Sequence, residues 1–307
     1  MKITVLTENT ISKNAEISKL HLQGEHGLSI FIQTQNKNIL FDMGQTNLFA
    51  KNASLLGIDL QTVDFAILSH GHYDHGGLSS PPHAVYKESD LSTPPTTSEN
   101  SGNPSKNEYF GIEAFAHINQ KAPIFINSNA FSQNFNANKK YIGLNQELLQ
   151  SKIAERFVFV QDEKEITQNI KLFSCNSYKK SVATNAFGLM QLQNGTFVPD
   201  NFNHEHYLLI QENDKKILIS GCSHKGILNI VEWFKPDFLI GGFHFKSLDV
   251  ENPCQKLELE SYAKKLASYN TKYFTCHCTG TQQFEILKSI MKEKVEYIST
   301  GDIINIF

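Results

Sequence analysis

Short apolar runs separated by polar turn-formers dominate the chain, and their period sets the elements. The stretches "KITVLTE" (2–8) and "LSIFIQT" (28–34) read as strands, and "KNILFDMG" (37–44) pairs back on the second through the polar "QNKN" turn. "NLFAKNASLLGI" (47–58) has helical spacing instead. "VDFAILS" (63–69) is a continuous apolar run bounded by polar residues, which predicts a buried strand. Further on, "APIFIN", "RFVFVQD", "IKLFSC", "FGLMQLQ", "HYLLIQE", "KKILIS", "DFLIGG" and "KYFTC" have the same short apolar form. Helical patterns lie between the later ones: "GILNIVEWF", "LELESYAKKLASY" and "TQQFEILKSIMKE". Both halves therefore start β-rich and finish as β/α, and no short internal repeat is evident.

One segment breaks the pattern. Residues 79–108 are rich in Ser, Pro, Thr and Asn, and hold five of the nine prolines, which predicts a long loop or insertion. The chain of 307 residues, 40% hydrophobic and 19% charged, is otherwise ordinary globular material, large enough for one big domain or two smaller ones. A formal net charge of −3 supplies no basic face for nucleic acid or an anionic membrane, so neither is expected as a partner. The N-terminus has no basic segment leading into an apolar stretch, and no apolar run reaches about 18 residues, so the expectation is a soluble, cytoplasmic protein. Five cysteines, an odd and scattered set, make a poor disulfide framework and fit a reducing compartment.

The chemistry gathers where strands end. Three times a buried strand is followed at once by a metal-capable cluster and then by a helix: "FAILS" to "HGHYDH", "KILIS" to "GCSH", and "KYFT" to "CHC". Ligands of sheets flanked by helices collect beyond the carboxyl ends of strands, so these clusters are expected to converge despite their separation in sequence. In the first cluster His70 and His72 can share one face of an extended segment, whereas the adjacent Asp74 and His75 should diverge, each pair then serving its own ion. Three histidines and an aspartate crowded this way would desolvate or repel one another without a cation between them.

"HGHYDH" (70–75) resembles the HxHxDH signature of the metallo-β-lactamase-fold superfamily. "NILFDMG", "LISGC" and "CHCTG" are similar to its other motifs, so the likeness spans most of the chain. "GCSHKGI", "GGFHF" and "CHCTG" further resemble the metal-dependent hydrolases related to the archaeal 7,8-dihydropterin-6-methyl-4-(β-D-ribofuranosyl)aminobenzene-5′-phosphate synthase. The resemblance implies an α/β fold, a four-layer αββα sandwich forming a single domain over 1–307 with the insertion at about 79–108. It also implies two divalent metal ions, zinc first and manganese or iron as alternatives, on His70, His72, Asp74, His75, Cys222, His224 and His277. Cys222 stands where the superfamily usually has a bridging aspartate; a buried inert cysteine is the alternative. His204 and His206 compete with His224 for the remaining histidine position, and His224 is preferred because it ends a strand beside Cys222. Asp42 would support the ligands without touching metal, or would simply turn the chain before Gly44. His21, His26, His83 and His117 carry no motif and are expected on the surface.

The implied activity is hydrolysis by a metal-bound hydroxide of an ester, lactone, thioester or phosphoester in a small molecule. Asp74 would orient the nucleophile and take its proton, and His244, or His224, would stabilise the oxyanion. The helix starting at "TGTQQ" would suit a phosphate or carboxylate on the substrate, and the 79–108 loop would cover the cleft. One alternative is a transferase of the synthase type; another is a non-catalytic metal-dependent ligand binder. A di-iron redox enzyme is disfavoured, because His72 stands where that subgroup's HxExD motif has glutamate.

Overall fold

In the computed structural model, which describes residues 1–77 and 109–307, the chain falls into two compact units. The first comprises 1–161, 186–204 and 300–307; the second comprises 162–185 and 205–299. The insertion expected at 79–108 lies outside the described residues.

The first unit is built on a seven-stranded sheet. Its strands are β1 (Lys2–Thr7), β2 (Ser29–Gln33), β3 (Asn38–Phe41), β4 (Phe65–Ile67) and β5 (Ile124–Asn127). A short β6 (Asn134–Phe135) leaves this sheet, β7 (Phe157–Val160) returns to it, and a strand from the end of the chain closes the other edge. β1, β2 and β3 form an antiparallel meander, whereas β3, β4, β5 and β7 run parallel. The helices of this unit are α1 (Ala15–Ser18), α2 (Leu48–Leu55), α3 (Tyr73–Gly76) and α4 (Gly111–Ile118). α2 buries Phe49 and Ala53 at helical spacing into an apolar cluster with Leu40, Leu68, Phe115 and Ile126.

The second unit has its own seven-stranded sheet. It begins with the hairpin β8 (Glu163–Thr167) and β9 (Ile170–Phe173), before the chain returns to the first unit for the hairpin β10 (Met190–Gln193) and β11 (Thr196–Pro199) on β6. It resumes with β12 (Tyr207–Glu212), β13 (Lys215–Ser220), α5 (Ile227–Phe234), β14 (Phe238–Ile240), α6 (Pro253–Ser268), β15 (Lys272–Thr275), α7 (Thr281–Met291) and β16 (Val295–Tyr297). The order is β16-β15-β14-β13-β12-β9-β8, parallel from β13 to β16 and antiparallel beyond. Asn213 and Asp214, both left-handed, make the two-residue turn of the β12–β13 hairpin, as a primed turn requires. α6 opens on Asn252, whose side chain accepts from the Cys254 and Gln255 N–H groups, with Pro253 at the first helical position. It buries Leu259, Ala263 and Leu266 along one stripe. β17 (Ile303–Asn305) then rejoins the first unit beside β1.

Every strand and helix expected from the apolar pattern is present. The alternation did not mark α1, α3, β6, β8, β11, β16 or β17, which are short or exposed, and it also missed α4, although Ile112, Ala114, Phe115 and Ala116 are buried in it. Among the described residues no helix is long and apolar enough to cross a membrane.

At the end of β14, Gly241 has φ +143, and a Cβ there would lie 1.9 Å from the Ser220 carbonyl oxygen. A Gly241→Ala variant is therefore expected to lose of order 1–3 kcal/mol from backbone strain alone, before any displacement of β13. Urea unfolding monitored by circular dichroism should show the lower midpoint.

Candidate metal-ligating sites

In the first unit β4 delivers Ser69 and His70 directly from its carboxyl end, and His72 caps the short α3 that carries Asp74 and His75. All five are buried. The His70 ring lies 4.6 Å from that of His72 and 4.2 Å from that of His75, measured between centroids. The helical turn of α3 overturns the expected divergence of Asp74 and His75: Asp74 Oδ2 lies 3.8 Å from His75 Nε2, because the segment is no longer extended there. His26, expected at the surface, is half exposed yet holds Nε2 3.3 Å from Asp74 Oδ2.

Asp42 organises this cluster from beneath. Its left-handed backbone, φ +59, turns the chain after β3, and its buried carboxylate accepts three hydrogen bonds. Oδ1 accepts from the Ser69 N–H at 2.7 Å; Oδ2 accepts from the Ser69 hydroxyl at 2.7 Å and from His75 Nδ1 at 2.6 Å. With its hydroxyl proton given to Asp42, Ser69 accepts from His70 Nδ1 at 2.8 Å. One carboxylate thus fixes the tautomer of two imidazoles, making Nε2 the electron-pair donor of His70 and of His75. That polarity is the one metal-bound histidines need.

A second buried carboxylate stands on the other side of the cluster. Asp200 Oδ2 accepts from His204 Nε2 at 3.0 Å and lies 3.9 Å from His72 Nε2. Burial acts against the Asp200 charge, but the hydrogen bond from His204 and the nearby His72 ring outweigh it and hold the carboxyl well below its usual range. His204 Nδ1 accepts the Gly71 N–H at 3.0 Å, so both nitrogens of that ring serve to hold the loop. Burial, reinforced by His204, pulls His72 below the ordinary histidine value despite the opposing carboxylates, favouring the neutral form that binds metal.

In the second unit the loops after β13, β14 and β15 supply Cys222 and His224, His244, and His277 and Cys278. Ser223, His244 and His277 all have left-handed backbones, with φ of +58, +57 and +50. Such conformations in non-glycine residues are retained where surrounding structure enforces them, commonly at functional sites. The His224 and His244 rings lie 4.2 Å apart. The donor atoms of Cys222, His224 and His244 fall within 4.8 Å of one another, as do those of Cys222, His277 and Cys278. Burial raises the Cys278 thiol, but Cys222, His244 and His277 outweigh it and leave the thiol well below its ordinary value.

The loop carrying His224 rests on a buried polar network that the motifs did not reveal. Glu205 Oε1 accepts the His224 N–H at 2.7 Å, and Oε2 accepts the Lys225 N–H at 3.1 Å together with the Tyr207 hydroxyl. Fully buried Lys225 donates from Nζ to the carbonyl oxygens of Ser174 and Glu205. His206 is buried next to this network in sequence.

Both donor sets suit a divalent ion: neutral imidazole with carboxylate in the first unit, imidazole with thiol in the second. Sequence reasoning missed Ser69, Asp200, Glu205 and Cys278. Asp200 stands four residues before His204 in "DNFNH", a spacing that offered a signal, whereas Glu205 offered none.

Nearby Cys175 behaves differently. Burial pushes its thiol up to about 12, against the nearby Lys225. In the folded protein at pH 8 iodoacetamide is therefore expected to modify exposed Cys254 and to spare Cys175, as peptide mass spectrometry would show.

Comparisons with known proteins bear on the fold. Residues 22–79 match the metallo-beta-lactamase superfamily. The 7,8-dihydropterin-6-methyl-4-(beta-D-ribofuranosyl)-aminobenzene-5'-phosphate synthase of Methanocaldococcus jannaschii is 29% identical, over 99% of this chain and 96% of its own length. The uncharacterized protein MJ0448 of the same organism is 26% identical over 99% of this chain and all of its own. The crystal structure of Tm1679, described as a metal-dependent hydrolase of the beta-lactamase superfamily, superposes with a TM-score of 0.68 at 23% identity, covering 100% of this chain and 99% of that one. With the superfamily's sequence pattern on the histidine-bearing stretch and the same fold along the whole length, this protein is one of the metallo-β-lactamase fold.

Proposed function

We propose that the protein is a metal-dependent hydrolase of an ester, lactone, thioester or phosphoester in a small molecule. The observation that carries this reading is the hydrogen-bonded chain from Asp42 through Ser69, which turns His70 and His75 into electron-pair donors at Nε2. His70, His72, Asp74 and His75 would hold metal in the first unit, and Cys222, His224 and His277 in the second. Divalent ions bound there would supply Lewis acidity and lower the pKa of water towards neutrality.

The chain's own groups supply the rest. Asp74 is the proposed acceptor of the proton from the attacking water. His26, 3.3 Å from the Asp74 carboxylate, orients it. His244 is the proposed donor to the oxygen on which negative charge develops. Asp200 holds the loop of His72 and His204, and Glu205 holds that of His224.

Metal content of protein purified without added metal tests the ligand assignment. His72→Ala and His277→Ala are each expected to lose one equivalent; unchanged content in both would reject the assignment. His224→Ala is expected to lose more metal than His206→Ala. Turnover is tested on a panel of phosphoesters and lactones with metal restored, where Asp74→Asn should lower kcat by about 10²- to 10⁴-fold. Inactivity on every substrate alongside tight binding of a small molecule would favour a non-catalytic ligand binder.

A second reading, a transferase, is favoured by the full-length likeness to the synthase of M. jannaschii. A dihydropterin pyrophosphate offered together with a ribofuranosyl-aminobenzene phosphate separates the two: a condensed product with pyrophosphate released supports the transferase, and transfer of the pterin to water alone supports the hydrolase.

A further inference from the structure

We infer that Cys278 joins Cys222 and His277 as a ligand of one metal ion, giving that ion a second sulfur donor. The inference rests on the metal-binding reading above and adds to it a sulfur ligand and a preference for softer ions. The donor atoms of Cys222, His277 and Cys278 all lie within 4.8 Å of one another, and all three residues are buried. Neither cysteine is in a disulfide.

Local backbone geometry explains how neighbours in sequence come to face the same place. Consecutive residues of a strand point to opposite sides. Here extended Cys276, with φ −161, is followed by left-handed His277 and a tight turn over His277–Thr279, which folds His277 and Cys278 back towards Cys222. The Thr279 hydroxyl accepts the Phe243 N–H at 2.9 Å and ties this turn to the loop after β14. Cys278 Sγ lies 3.5 Å from the Cys222 carbonyl oxygen, to which the thiol donates. Its seat is shaped by Gly242: a Cβ there would come within 2.3 Å of Cys278 Sγ, so any side chain at 242 would displace the sulfur. The Gly242 N–H in turn donates to the Gly221 carbonyl at 2.9 Å, which fixes the loop before Cys222.

Two thiolates with imidazole select zinc or another soft ion, whereas the imidazole and carboxylate set of the first unit accepts harder ones. The two sets therefore differ in the class of ion they prefer. Binding is balanced by protons: each thiol loses one as its sulfur becomes a ligand, and the Cys278 hydrogen bond to the Cys222 carbonyl is given up.

The test uses the full chain carrying His70→Ala and His72→Ala, loaded with one equivalent of zinc for X-ray absorption or of cobalt(II) for electronic absorption. The expected result is two sulfur neighbours at about 2.3 Å from zinc, and a thiolate-to-cobalt charge-transfer band. Cys278→Ser and Cys222→Ser should each remove one sulfur and about half of the band, and the double variant should remove both. Gly242→Ala, which leaves every ligand in place, should weaken the band by moving Cys278. Zinc bound with only nitrogen and oxygen neighbours, or a band indifferent to Cys278→Ser, would overturn the inference while leaving the metal-dependent reading intact. A wild-type protein that takes up no divalent metal at all would overturn both.

Discussion

An Asp42→Asn variant is expected to bind divalent metal about 10- to 100-fold more weakly than the wild type, the usual cost of losing a group that orients a ligand from behind. The reason lies in hydrogen-bond polarity. Both oxygens of Asp42 accept, one from the Ser69 N–H and the other from the Ser69 hydroxyl and His75 Nδ1. An amide keeps one acceptor and replaces the other with a donor. If the NH₂ faces His75, that ring must reverse its tautomer, and Nε2 then carries a proton where an electron pair is needed. If it faces the Ser69 N–H, two donors meet in a buried site. Competition with a chromophoric chelator measures the loss, and wild-type affinity in Asp42→Asn would remove the central support for the first donor set.

The second large effect concerns stability. Lys225→Met is expected to cost about 2–5 kcal/mol, since each buried acceptor left without its donor costs about 1–3 kcal/mol. The methionine fills most of the volume, but two backbone carbonyls, of Ser174 and Glu205, lose their donor. Glu205→Gln alone should also destabilise, because one amide hydrogen is forced against the Tyr207 hydroxyl or the N–H groups of His224 and Lys225. The double variant is expected to lose less than the sum of the two, since both changes act on one hydrogen-bond network. Urea unfolding followed through near-ultraviolet circular dichroism would test this; a Lys225→Met midpoint equal to the wild type would show that the ammonium contributes nothing net.

The fold was legible where periodicity is strong. Continuous apolar runs such as "VDFAILS" and "KILIS" became the buried strands β4 and β13, and "LELESYAKKLASY" lies in α6 with its stripe at Leu259, Ala263 and Leu266. It was less legible where a strand sits at an edge and buries little: β8, "EKEIT", has no fully buried residue. β11 could have been found from chemistry rather than period, because Asn194-Gly195, both left-handed, is a strong hairpin signal between β10 and β11. The candidate site divides in the same way. Metal-capable residues stand out by type and spacing, as His70 and His72 do. The groups that aim them, Ser69, Asp200 and Glu205, are common residues whose role depends on long-range placement: Asp200 lies beside His72, 128 positions earlier in the chain.

The last strand has a bearing on synthesis. β17 completes an edge of the first unit's sheet, where Lys2, Ile3 and Thr4 align with Asn305, Ile304 and Ile303, and buried Thr300 accepts the Glu8 N–H. Until those residues leave the ribosome, β1 presents unsatisfied backbone groups along its outer side, a surface open to pairing with other nascent chains. Folding of the first half therefore cannot finish in the order of translation, and deletion of the final eight residues should yield a protein that aggregates even though the histidine-bearing loops are intact.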